Sequence, residues 1–85
     1  MSFTVRVAGR AQKSLRRIPP ADLRRITAAL EAMHNDPLAG DVVKLKDTVA
    51  FRRRVGDYRI IFIIDFEQAA VGIVDIQRRT TTTYR

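Results

Sequence analysis

The stretch from Phe51 to Asp65, FRRRVGDYRIIFIID, leaves the chain little choice of local structure. Two runs of strand-forming residues flank Gly56-Asp57, a dipeptide suited to a two-residue type II′ turn. A loop of that length sets the register of a β-hairpin. Val55 then faces Tyr58, Arg54 faces Arg59, Arg53 faces Ile60 and Arg52 faces Ile61. Side chains alternate between the faces of a strand. One face therefore carries Phe51, Val55, Tyr58, Ile60, Phe62 and Ile64. The other carries Arg52, Arg54 and Arg59, continuing into Ile61 and Ile63. Arg53 points to the apolar face. Its predicted place is near the sheet's edge, with its stem packed and its head in solvent.

The arginine face is the informative one. Arg54 and Arg59 stand opposite each other, and like charges so placed destabilise a strand pair by about a few tenths of a kcal/mol. Folding gains nothing from this arrangement, whereas a bound polyanion would relieve it. The plain alternative is a solvated face with its side chains splayed into water. The charge balance favours an anionic partner: 85 residues carry a net charge of +7, and the sequence pI is about 11.1. Arginine outnumbers lysine by 13 to 3, which points to phosphate or carboxylate contacts made by the planar guanidinium fork.

The remaining segments supply a core for the hairpin's apolar face. Residues 3–7, FTVRV, alternate as a first strand with Phe3, Val5 and Val7 inward. Residues 8–17 place Ala11, Leu15 and Ile18 at helical spacing, with Arg10, Lys13, Arg16 and Arg17 on the surface. Pro19-Pro20 ends that helix, and Pro20 suits the first turn of the next. Residues 21–35 form the longest helix, whose apolar stripe is Leu23, Ile26, Leu30 and Met33. Asn35, Asp36 and Pro37 stop it, and residues 37–41 are a loop. Residues 42–46 make a short strand or an irregular lead into the hairpin. Phe66 to Ala69 form a second turn, and residues 70–77, AVGIVDIQ, a final strand paired with 58–65. If Phe66 faces Ala69, Arg59 lies opposite Ile76, and Arg78 falls beside the Arg54–Arg59 patch with Arg79 next to it. The predicted fold is one α+β domain spanning residues 1–85. It has an N-terminal strand, two helices, then an antiparallel sheet of three or four strands, with both helices on one face.

Composition excludes several function classes. Without cysteine there are no disulfides or thiolate metal sites, and one histidine cannot build a His-rich metal centre. His34, at the predicted end of the long helix, suits the helix dipole there and has no nucleophile near it in sequence. No metal site and no cofactor are expected. Residues 1–20 are polar and basic without the apolar core of a signal peptide, so a cytoplasmic location is expected. The apolar run Ile60–Ile64 is far too short to span a membrane, and no membrane partner is expected.

The segment RRRVGDYRIIF, with Leu45-Lys46 before it and a late strand ending in arginine and then tyrosine, resembles the RelE/ParE toxin superfamily. The similarity runs over nearly the whole chain, including its strand–helix–helix start. It implies the toxin of a type II toxin–antitoxin pair, neutralised by an acidic, RelB-like antitoxin, with promoter DNA bound only through the antitoxin complex. RelE-like members cleave mRNA in the ribosomal A site. ParE-like members share the fold, lack that catalytic set and poison DNA gyrase. The RelE-like set maps onto Arg52 and Arg54 before the turn, Arg59 after it, Arg78 after the last strand, and Tyr84. The resemblance thus implies Arg54, Arg59, Arg78 and Tyr84 as catalytic residues, and Arg52, Arg54, Arg59 and Arg79 as RNA-phosphate ligands. The strand positions are often lysine in that branch, and arginine keeps the charge but stays protonated. Asp47 stands where the family often has glycine.

RNA carries its own nucleophile, the 2′-OH. A nuclease of this kind needs no metal if it aligns that hydroxyl with the leaving 5′ oxygen and stabilises charge on the phosphoryl oxygens. Arginines suit the second task. Tyr84 is the candidate proton-transfer group, its reference pKa near 10 expected to fall among arginines. A packing or tail role is its alternative. Three functions stay open: an mRNA endoribonuclease acting with the ribosome, a non-enzymatic gyrase inhibitor, and a basic nucleic-acid-binding module.

Overall fold

A computed structural model describes residues 2–79. The elements follow in the order β1 (Thr4–Val7), α1 (Gly9–Leu15), α2 (Pro20–Ala32), β2 (Val42–Lys44), β3 (Phe51–Val55), β4 (Tyr58–Asp65) and β5 (Ala70–Arg78). The strands form one five-stranded sheet in the order β1-β5-β4-β3-β2. The predicted α+β class holds. β2 through β5 make the antiparallel part, and β1 joins the far edge parallel to β5, a partner that strand periodicity alone does not identify.

The hairpin register is the one its loop length dictates: Val55↔Tyr58, Arg54↔Arg59, Arg53↔Ile60 and Arg52↔Ile61. Gly56 takes φ +58°, while Asp57 stays at negative φ, as the first and second positions of a type II′ turn require. A Cβ at Gly56 would also come within 2.9 Å of the Arg25 guanidinium.

The hydrophobic residues meet between the helices and one sheet face. Ile26, Ala29 and Met33 of α2 and its end, with Ala11 and Ile18, pack on Tyr58, Ile60, Phe62, Val71, Ile73 and Ile76. Leu23 and Leu30 flank this core, so the predicted stripe is in place with Ala29 added. Phe51 and Phe62, paired across the hairpin, stack with ring centroids 5.6 Å apart. Pro20 opens α2 at its first turn, and α1 ends at a cap on Arg16.

Two expectations are corrected. The first is Arg53. Its head is not in solvent. Its Nη1 lies 3.5 Å from the Ala29 carbonyl oxygen, its Nε is buried, and the guanidinium sits against Gly40, whose φ of +90° brings the loop backbone close. The second is the pairing of Arg59. β4 and β5 run in step from Asp65↔Ala70 to Phe62↔Ile73, then shift by one, so that Ile61 pairs with Asp75. Val74 is the extra residue of a β-bulge. Arg59 therefore faces Gln77, not Ile76, and Arg78 faces Tyr58.

Candidate functional site

The helices cover one face of the sheet and leave the other open. On that open face β3 contributes Arg52 and Arg54, and β4 contributes Arg59. Arg79, one residue beyond β5, completes the group. The four arginines line one shallow cleft of ≈ 210 Å³. Arg79 is tied there through its backbone N–H, which donates to the Asp57 carbonyl in the hairpin turn.

The bulge at Val74 decides which C-terminal arginine arrives. In an unbroken ladder Arg78 would share a face with Arg59. One extra residue inverts the alternation, because the side-chain period in a strand is two. Arg78 then shares the register position of buried Tyr58 and does not line the cleft, while Arg79 does. The expected grouping of Arg52, Arg54, Arg59 and Arg79 is thus present, and the expected place of Arg78 beside Arg59 is not. Tyr84 lies outside the described residues.

The cleft is unequally charged. Arg52 Nη1 lies 3.3 Å from Asp41 Oδ1, an ion pair that lends part of its charge to the loop before β2. Among the described residues, Arg54 and Arg59 have no carboxylate within ion-pair distance. Their face-to-face placement puts two uncompensated cations where one phosphate could bridge them. His34 is elsewhere. Its Nδ1 is 2.8 Å from the Phe3 carbonyl oxygen, and its own carbonyl accepts the Phe3 N–H at 2.7 Å, so it ties the end of α2 to the start of the chain. Among the described residues no group of three or more His, Cys, Asp or Glu side chains could hold a metal ion. No described helix is long and apolar enough to cross a membrane.

Sequence reasoning missed Asp75. It is 8% exposed, and its carboxylate accepts hydrogen bonds from Ser14 Oγ (3.4 Å), the Ile76 N–H (2.9 Å) and Gln77 Nε2 (3.2 Å), with Arg10 Nε at 3.4 Å. It fastens α1 to the strand directly after the bulge. The signal was in the spacing: Val71 and Ile73 alternate, and the next inward residue is Ile76, three positions on.

Comparison with known proteins agrees with this architecture. A family model described as the ParE toxin of the type II toxin–antitoxin system matches residues 5–82. The protein named RelE1 of Methanocaldococcus jannaschii is 26% identical over 83 residues, 93% of this chain and 92% of that protein. The archaeal RelE–RelB complex of Pyrococcus horikoshii contains a chain 26% identical, with a TM-score of 0.85 over 96% of this chain and all (100%) of that one. The toxin–antitoxin complex RelBE2 of Mycobacterium tuberculosis contains one 27% identical, with a TM-score of 0.84 over 93% and 100%. With a family model spanning residues 5–82 and an arginine-lined sheet held in the same fold, the chain belongs to the RelE/ParE superfamily of toxins of type II toxin–antitoxin systems.

Proposed function

We propose that this toxin is an mRNA endoribonuclease that acts at the ribosome and so blocks translation. The observation that carries the reading is the cleft in which Arg52, Arg54, Arg59 and Arg79 converge on the open sheet face. In the reaction, the 2′-oxygen of a nucleotide attacks its own 3′-phosphorus. The P–O5′ bond breaks, leaving a 2′,3′-cyclic phosphate and a free 5′-OH. The 2′-OH gives up one proton and the 5′ oxygen takes one. Arg54 and Arg59 face each other across the hairpin and stabilise the phosphoryl oxygens as charge builds on them. Arg52 and Arg79 hold the neighbouring phosphates. Arg79 takes the part that the family pattern suggests for Arg78, because it is the arginine the bulge delivers to the cleft. Tyr84 is the group assigned to proton transfer. The cleft's arginines stay protonated and serve the charge, not the protons. The ribosome supplies the alignment of 2′-OH, phosphorus and leaving oxygen that four cations alone do not impose.

The partner that restrains the toxin is an acidic antitoxin, as the RelE–RelB pairing of the similar chains suggests. Binding promoter DNA falls to that complex. A net charge of +7 makes their association fast and salt-sensitive. The reading is tested by primer extension on mRNA in a translating extract. New 5′ ends at A-site codons are expected with the native toxin and not with Arg59→Ala. The second reading, gyrase inhibition without RNA chemistry, is favoured by the matching family model, which is described for ParE. Intact mRNA together with blocked supercoiling would establish it in place of the first.

A further inference from the structure

A second cationic groove lies apart from the arginine cleft. Arg10, Lys13 and Ser14 of α1, Arg17 just past its end, and Asp75 and Ile76 of β5 line a hollow of ≈ 320 Å³. Residues 10, 13 and 17 recur at helical spacing and so share one side of α1 and the turn that continues it. Crowding three cations there does nothing for the core, since all three are exposed. Asp75 does not cancel them. Its two oxygens are already shared among Ser14, the Ile76 N–H, Gln77 and one guanidinium nitrogen of Arg10. It acts as a buried peg that orients Arg10, whose side chain remains 80% exposed. Among the described residues, Lys13 and Arg17 have no carboxylate within ion-pair distance.

The groove is continuous with the cleft. β5 lines it with Asp75 and Ile76, and Arg79 lines the arginine cleft just beyond the same strand's end. Four residues of strand separate Asp75 from Arg79, a span of about 13 Å at ~3.3 Å per residue. The residue between them on the open face is Gln77, polar and exposed. A cationic path that bends from one groove into another follows a backbone longer than one phosphate.

We propose that the Arg10–Lys13–Arg17 groove is a second phosphate-binding site, which takes the single-stranded RNA flanking the nucleotide held in the arginine cleft. This rests on the RNA reading given above. An acidic peptide could satisfy three cations equally well. Continuity along β5 with a cleft shaped for phosphate is what favours RNA.

The test uses the full-length toxin and fluorescent oligoribonucleotides of two lengths, tetramer and dodecamer, 2′-O-methylated so that they bind without being cleaved. The variant carries Arg10→Gln, Lys13→Gln and Arg17→Gln together, and Arg59→Gln serves as the cleft control. Thermal melting by circular dichroism checks that each is folded. The triple variant is expected to bind the dodecamer at least ~10-fold more weakly at low salt. Its log–log salt slope should fall by about 2, at ~0.7 per lost phosphate contact, with tetramer binding unchanged. Unchanged dodecamer affinity and slope, with Arg59→Gln still weakened, overturns the second site and leaves the RNA reading standing. Equal losses for both lengths mean diffuse charge and also overturn it. Loss of antitoxin binding with RNA binding intact assigns the groove to the protein partner instead. If Arg59→Gln binds both oligomers as well as the native chain, it is the RNA reading itself that fails.

Discussion

The arginine that reaches the cleft is chosen by a one-residue bulge, and the choice can be reversed by moving a single polar position. In the native register Ile76 is 4% exposed opposite Ile60, and Asp75 sits beside Ile61, bound by its donors. Slipping the end of β5 back by one residue would bring Asp75 opposite Ile60 and push Ile76 onto the open face. Exposing Ile76 costs ~1.5–3 kcal/mol. Placing the Asp75 carboxylate in the core without its partners costs several kcal/mol more. A gap of about 4 kcal/mol or above keeps the slipped form below roughly one molecule in a thousand. The double variant Asp75→Ile with Ile76→Thr inverts this preference. The native register would now expose an isoleucine and bury a hydroxyl, a penalty of about 2–5 kcal/mol that slipping removes. The ladder should straighten, Val74 should pair with Ile61, and Arg78 should enter the cleft in place of Arg79. Cross-strand backbone NOEs report this directly: a contact between residues 59 and 77 in the native chain becomes one between 59 and 76. In RNA binding, Arg79→Ala should matter in the native background and Arg78→Ala in the variant one. If the double variant keeps its 59–77 contact, the polar–apolar pattern of β5 does not set the register and the reasoning is wrong.

Three further outcomes follow from the same geometry. Arg59→Ala should lower mRNA cleavage by ~10²-fold with little change in ribosome affinity, because it removes one preorganised donor; Tyr84→Phe should cost ~10²–10⁴-fold if that hydroxyl moves a proton. Both are read by primer extension alongside growth arrest. Alanine at Arg54 or Arg59 should each reduce the salt slope of RNA binding by up to ~0.7. Alanine at Arg52, already paired with Asp41, should reduce it less, and at exposed Arg24 on α2 not at all. Ala69 holds φ +50° in the turn before β5, a conformation that costs an alanine ~1–2 kcal/mol, so Ala69→Gly should raise Tm by a few degrees on a thermal scan.

Much of this architecture was legible because local rules carry it. A two-residue loop leaves one register for the hairpin, and helical spacing of Leu23, Ile26, Leu30 and Met33 selects the face that meets it. The parallel pairing of β1 with β5 was not legible, since alternation marks a strand and not its neighbour. Arg53 was misplaced for a related reason. Its burial depends on Gly40 and the Ala29 carbonyl, which only the folded chain brings to it. Within the site, Arg52, Arg54 and Arg59 could be read from the turn alone. The exchange of Arg78 for Arg79 could not, because it hangs on the skipped beat between Ile73 and Ile76. Asp47 takes φ +59°, the left-handed conformation glycine adopts most readily, which gives the family's frequent glycine there a backbone reason.

The pairing of β1 with β5 also orders the toxin's birth. Thr4 meets Ala70 and Val7 meets Ile73, so the first strand made waits for the last. Ribosomes add ~5–20 residues per second, so β1 waits several seconds before its partner strand exists. Until then Val5 and Val7 have no sheet to join, and the cleft lacks Arg79, which is added later still. Closing such a distant contact is also among the slower steps of folding. A nascent chain of this toxin is therefore harmless by construction for as long as it is incomplete, and an antitoxin already present meets each molecule before its cleft is whole.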